Sequence, residues 1–441
     1  MARPGPLANN VLRPPMNEHG VLLHVISLQD MPIPVALFLY AAANVVVLSF
    51  VPAALFSGDR RASGADAYPR VRAPWLLPVV RSRALRAAGG AAGVLGLVVF
   101  VAAGLLGPQR PAASSSQYLV WIWLWAVLVP ASALAGNLWP LVNPWAAIFD
   151  GAAPLLARLH RRALPPRLGI WPAAAVYLAF AFVELGSGSV RPATLALLAV
   201  GYTVLTLAGM TLCGRDEWLE RCEALTVLLG VVGRFGPVEV ARDADGRGQE
   251  VWLRPWGTGL LRRQRAGWDW IVLVVLLLST LAFDGLAVTA PWQAVASALG
   301  AVAAPLGLLG LALAFLVVLV VFVRLVLAIG GAGPDDLGAA TAFALTLVPI
   351  ALLYHTALSW GFVVEGLRTT LPIRTDAIWY VQLTLVVLGH AIAVYLANLR
   401  AGERFRTTRR AMLGQYPMVV LLVLYTMASM WILAQPTSAL Q

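Results

Sequence analysis

The sequence predicts an all-α, polytopic transmembrane helical bundle of about ten spans, with both termini on the outer side. Three observations carry that prediction. Of the 441 residues, 60% are hydrophobic and only 12% charged, and the mean hydropathy is +0.78. A soluble domain is about 45–50% apolar and about 25% charged. Apolar runs near the ~20 residues that cross a bilayer as a helix recur along the whole chain. The cations alternate from loop to loop: all 32 basic residues are arginine, and 25 of them fall in four loops. A net charge of +11 would suit nucleic acid in a soluble protein. Arginine grouped on one side of apolar spans meets anionic lipid instead, so the bilayer is the expected partner and nucleic acid is not.

The elements follow in chain order. Residues 1–33 read as an extracytoplasmic N-terminal tail, kept extended by Pro4, Pro6, Pro14 and Pro15 and without the apolar core of a secretory signal. Residues 34–213 hold spans one to five, near 34–55, 90–107, 118–138, 170–186 and 192–213. Residues 214–267 form a cytoplasmic segment. Residues 268–434 hold spans six to ten, near 268–286, 301–328, 339–363, 377–398 and 415–434, and 435–441 is a short outer tail. The arginine-rich loops are 56–89, 139–169, 214–267 and 399–414, which the positive-inside rule places in the cytoplasm. Losing one span would invert this pattern downstream.

Three segments depart from plain spans. Between Asn137 and Ile148, Trp139, Pro140, Asn143, Pro144 and Trp145 interrupt an apolar run. Two prolines break a helix there, which predicts a partial re-entrant turn near 139–148 with Asn143 and Trp145 as candidate binding residues. From 216 to 234, Trp218, Cys222, Leu225, Leu229 and Val232 recur at helical period behind Asp216, Glu217 and Glu220. That stripe predicts an amphipathic helix on the inner membrane surface. From 235 to 266, the turn residues Asp243, Asp245 and Gly246 predict a small hairpin. The two cysteines, Cys213 and Cys222, fit packing roles and form no paired metal motif.

Polar side chains inside spans cost about 2.5–3.5 kcal/mol each on insertion scales and face protein or a cavity. Here they are Asn44, Glu184, Asp284, Arg324, His355 and His390. Glu184 and Asp284 lie near outer span ends, and Arg324 near an inner end where it can snorkel. His355 sits roughly 12 Å and His390 roughly 20 Å below their outer ends, at 1.5 Å per residue, which argues against one haem held between them. Gln382 and Asn398 stand eight residues either side of His390 and, with Asn44, suggest a polar seam open to hydrogen bonding, proton handling or metal. Asp284, His355 and His390 are the candidate catalytic residues. His19, His24, His355 and Asp284, joined by Glu365, form a candidate outer-face site for a divalent metal, because three nitrogen or oxygen ligands and one open position suit hydrolysis. No phosphate loop, nucleophile elbow or His-Glu-x-x-His occurs.

An ordered set of short segments carries a family resemblance. They are Asp30–Pro34, Asn143–Ile148, Glu223–Ala224 through Gly233–Pro237, Phe283–Gly285, Leu347–Ala351, Trp379–Gln382, Gly389–His390 and Gln415–Met418. Over nearly its whole length the chain resembles the bacterial multi-pass membrane proteins known as fenitrothion hydrolases. The resemblance implies hydrolysis of a small apolar organophosphate triester in the bacterial plasma membrane, and a divalent metal as the cofactor to look for. Two departures stand out: the pattern has histidines where this chain has Leu345 and Leu358, and His355 lies one turn before the latter. Two other readings stay open, a non-catalytic membrane subunit that handles a metal or cofactor, and a transporter built on the His390, Gln382 and Asn44 seam.

Overall fold

The computed structural model describes Tyr40, Ala43, Asn44 and Val47 and then residues 70–433, except 111–113, 157–162, 187–189, 243–248, 334, 368–374 and 406. Both predicted tails, and with them His19 and His24, lie outside the described residues, as does most of the first span. Among the described residues nine helices are long and apolar enough to cross a membrane. The chain is an all-α polytopic bundle with one small sheet.

After β1 (Val71–Arg72), α1 (Arg83–Leu106) begins seven residues ahead of its apolar run, because Ser82 Oγ caps it by accepting from the Leu85 amide at 3.2 Å. The next span, α2 (Ser115–Ala135), is a π-helix from Leu119 to Leu128, where the Val129 amide reaches back to the Leu124 carbonyl. The break predicted at 137–148 follows as two helices, α3 (Trp139–Val142) and α4 (Pro144–Leu156). Their prolines occupy first turns, where a missing amide costs nothing, and Asn143 Oδ1 caps α4 by accepting from the Ala146 amide at 3.0 Å. Helix α1 covers this junction with Gly93. A Cβ there would stand 1.9 Å from the Val142 carbonyl oxygen, so only glycine admits the close approach.

Helices α5 (Trp171–Gly186) and α6 (Pro192–Cys213) complete the first half. The stripe predicted as one surface helix over 216–234 is two helices, α7 (Arg215–Arg221) and α8 (Ala224–Phe235), broken at Cys222–Glu223. Protein, not a membrane surface, covers α8: Val227, Leu228, Leu229 and Val231 are all buried. Leu228 and Val231 lie off the stripe, and a helix apolar on several sides goes inside. The hairpin over 235–266 takes the form of β2 (Val238–Arg242) paired antiparallel with β3 (Gln249–Leu253), and β1 lines the other edge of β3. Arg254 anchors it, pairing with Glu239 at 2.5 Å while donating to the Gly236 and Arg234 carbonyls.

Helix α9 (Trp268–Ala287) is the axis of the second half, with Leu273 and Val274 fully buried. Its first turn is pinned to α5 by Asp269, whose carboxylate accepts from the Ile170 amide and from Arg265, both at 2.9 Å. A short helix, α10 (Ala290–Leu299), precedes α11 (Ala303–Gly330). The predicted span at 339–363 is divided into α12 (Leu337–Leu345) and α13 (Val348–Leu367). Pro349 removes an amide from the helix ladder there. The last spans are α14 (Thr375–Arg404) and α15 (Thr408–Leu433). Gly389 lets α14 settle onto the Pro349 carbonyl and Leu353 of α13.

Candidate functional site

Three polar groupings interrupt the apolar bundle. One is marked by Glu184 and Asp284 near the arginine-poor ends of α5 and α9, with Tyr177 and Tyr354 further along α5 and α13. Glu184 stands two residues from the end of α5 and Asp284 three from the end of α9. Asp284 acts electrostatically on Glu184, on the Tyr177 hydroxyl and on the Tyr354 hydroxyl. Tyr177 and Tyr354 are buried, and the Tyr354 hydroxyl has no hydrogen-bond partner among the described residues. Helix α9 runs through Asp284 and Gly285 to Ala287. The aspartate is thus presented from a rigid helical turn, with the Phe283 ring packed edge-on against Trp292 at 5.0 Å beside it. The two carboxylates offer only oxygen donors, which suit a hard divalent cation over a soft one.

The histidines stand apart from this group. His355 Nε2 lies 3.0 Å from the Trp125 carbonyl of α2 and 3.3 Å from Ser359 Oγ, and its ring meets the Trp125 indole edge-on at 5.6 Å. The reason lies in the π-helix: the next i→i+5 partner of that carbonyl is residue 130, and Pro130 has no N–H to give. His390 is fully buried, and its Nδ1 lies 2.9 Å from the Val386 carbonyl one turn back. That bond puts the proton on Nδ1 and leaves Nε2 as a bare acceptor, which has no partner among the described residues. Gln382 donates to the Ala357 carbonyl at 3.1 Å, tying α14 to α13, and Asn44 Nδ2 donates to the Tyr40 carbonyl at 2.8 Å within its own helix. Asn398 is buried on α14, two turns on from His390. No set of three His, Cys, Asp or Glu side chains gathers at a metal-binding spacing among the described residues. Arg324 pairs with Asp335 at 2.9 Å, and the Glu365 side chain lies outside the described residues.

The third grouping joins Asn143 and Trp145 to Trp139, Glu223, Tyr202, Thr203 and Thr226, and the sequence offered none of the tyrosine and threonine hydroxyls as site residues. Glu223 is fully buried at the start of α8. Its carboxylate accepts from Tyr202 Oη at 2.7 Å, from the Leu225 and Thr226 amides at 2.9 and 2.7 Å, and from Trp139 Nε1 at 3.2 Å. Thr226 Oγ1 also bonds to it. Asn143 Nδ2 reaches the Thr226 hydroxyl at 3.2 Å, and Trp145 donates to Thr203 at 3.0 Å with its ring edge-on to Tyr202. These bonds lock the α3–α4 break onto α6 and α8. An acidic residue just ahead of the apolar run 224–235 is the one sequence signal that marks Glu223 as a cap. Nothing in the spacing of Tyr202, Trp139 or Thr226 distinguishes them from core. No family model matches the chain, and no curated protein and no solved structure matches it either.

Proposed function

We propose that the outer carboxylate group binds a divalent cation and that the chain is a metal-assisted hydrolase of an apolar organophosphate triester in the bacterial plasma membrane, as its family resemblance implies. The observation that carries this reading is the Glu184–Asp284 pair with the unpartnered Tyr354 hydroxyl beside it. Two neighbouring carboxylates in an apolar bundle cannot both ionise, and a shared cation would let them. Ionisable groups at such depth mark functional sites by default. Glu184 and Asp284 would hold the ion, which when bound polarises the phosphoryl oxygen. Water oxygen then forms the new bond to phosphorus as the phosphorus–aryloxy bond breaks, with a carboxylate accepting the water proton and the Tyr354 hydroxyl hydrogen-bonding the departing aryloxide. Lipid-facing apolar helices would deliver such a substrate from the membrane phase.

The test is release of nitrophenolate from a nitrophenyl organophosphate by the purified protein in nanodiscs. Chelation should abolish turnover, and Asp284→Asn should lower kcat/KM on the order of 100-fold, while His355→Ala leaves most of it. Turnover no greater than that of empty nanodiscs across magnesium, manganese, calcium and zinc would overturn the reading. A second reading is favoured by one observation: His390 Nε2 and the Tyr354 and Tyr425 hydroxyls are buried on adjacent helices with no partner among the described residues. That seam would serve proton or cation movement, and gradient-driven flux in liposomes that falls in His390→Ala would support it.

A further inference from the structure

A groove of about 850 Å³ runs down the outside of α1, with α4 as its second wall. Its two ends differ in chemistry. At the arginine-rich end stand Arg83 and Arg86, both exposed, in the first turn of α1. Below them the floor is apolar and steps down through Gly90, Val94, Leu95 and Val98. The fifteen helical steps from Arg83 to Val98 rise roughly 22 Å along the helix axis, headgroup region included, against the ~15 Å that is half of a ~30 Å hydrocarbon core. Gly90 sets the depth where the walls meet, since a Cβ there would stand 2.9 Å from that of Ala147.

The charges at the rim are not evenly committed. Asp150 also lines the groove, but its carboxylate is engaged by Arg215 at 2.7 and 3.0 Å. Arg81 is turned away to the Gln249 carbonyl of the sheet at 3.0 Å. Arg86 makes one hydrogen bond, to the Arg81 carbonyl at 3.1 Å, and Arg83 has no acidic partner among the described residues. The N-terminal amides of a 24-residue helix add partial positive charge at the same place. The rim therefore carries net positive charge directly above an apolar floor that runs roughly 12 Å from Gly90 to Val98, most of one leaflet.

We propose that this groove holds one anionic phospholipid, its phosphate against Arg83 and Arg86 and one acyl chain along Val94, Leu95 and Val98. Charge complementarity at the rim selects the headgroup, and the length of the floor selects a lipid over a free phosphate.

Native mass spectrometry of the detergent-solubilised protein, titrated with phosphatidylglycerol and with phosphatidylcholine, tests this. Phosphatidylglycerol should bind in a single tight step and phosphatidylcholine about 30-fold more weakly. Arg83→Gln with Arg86→Gln should erase that preference. Arg262→Gln with Arg409→Gln removes the same charge elsewhere on the arginine-rich side and should leave the preference intact. Val94→Trp fills the floor and should weaken phosphatidylglycerol while both arginines remain. Glycerol phosphate without acyl chains should not compete. Equal affinity for the two lipids, equal loss in both arginine pairs, or full competition by glycerol phosphate would each overturn the proposal. Efficient disulfide crosslinking of Leu95→Cys to Asn44→Cys, in a background lacking Cys213 and Cys222, would put the first span in the groove and overturn it as well.

Discussion

Pro130 deprives the Trp125 carbonyl of its helical amide, and His355 makes good the loss from another helix. His355→Phe leaves that carbonyl without a donor and should cost about 1–3 kcal/mol. Pro130→Ala restores an amide at the right place and should recover part of the loss. A double-mutant cycle on unfolding in detergent measures the coupling, and a value near zero would refute the account. Asp336 offers a test outside the spans. The Ala339 amide that it caps, and then Arg404 beside it, hold its carboxyl below the ordinary aspartate value. Its stabilising effect is therefore present above the unfolded-state pKa and lost as pH falls through the lower folded one. Asp336→Ala should cost about 1 kcal/mol at neutral pH, a gap that narrows on acidification below about 4 in thermal-shift measurements. At this scale Glu184, Asp284, His355 and His390 were readable from the sequence because charge and imidazole are rare inside apolar runs. Tyr177 and Tyr354 were not, since a tyrosine at helical spacing reads as core until its hydroxyl is located.

Elements were readable where a residue forbids a conformation, and hidden where a contact decides. Pro140 and Pro144 announced the α3–α4 break, and Asp243 with Gly246, themselves outside the described residues, announced the pairing of β2 with β3. The break between α7 and α8 gave no such notice, because it depends on Glu223 finding Tyr202 and Trp139 from distant parts of the chain. The π-helical winding of α2 was equally silent, since its partner is 230 residues away. Glu223 is the keystone of the first set of contacts. Glu223→Ala strips the acceptor from five groups at once and should cost at least about 3 kcal/mol. Size-exclusion profiles and thermal shift should both register the loss, and a variant as stable as the parent would show that the junction stands without its carboxylate.

For the molecule as a whole, composition and hydropathy were sufficient to predict the class. Nine of the ten predicted spans coincide with long apolar helices, and the tenth, at 34–55, lies almost wholly outside the described residues. Orientation rests on the arginines. A cysteine at Arg409 should react with a membrane-impermeant maleimide only after cells are permeabilised, and one at Arg110 should react in intact cells. The reverse pattern would invert every inside and outside assignment. What composition could not supply was which helices touch, since lipid and protein accept the same Leu, Val and Ala.

The contacts of Glu223 also bear on how the chain is built. Trp139 and Asn143 precede their acceptor by 84 and 80 residues, so during synthesis they leave the ribosome long before it does. The contacts of α1 with α3 and α4 are therefore made without their Glu223 latch until the later segment has been synthesised.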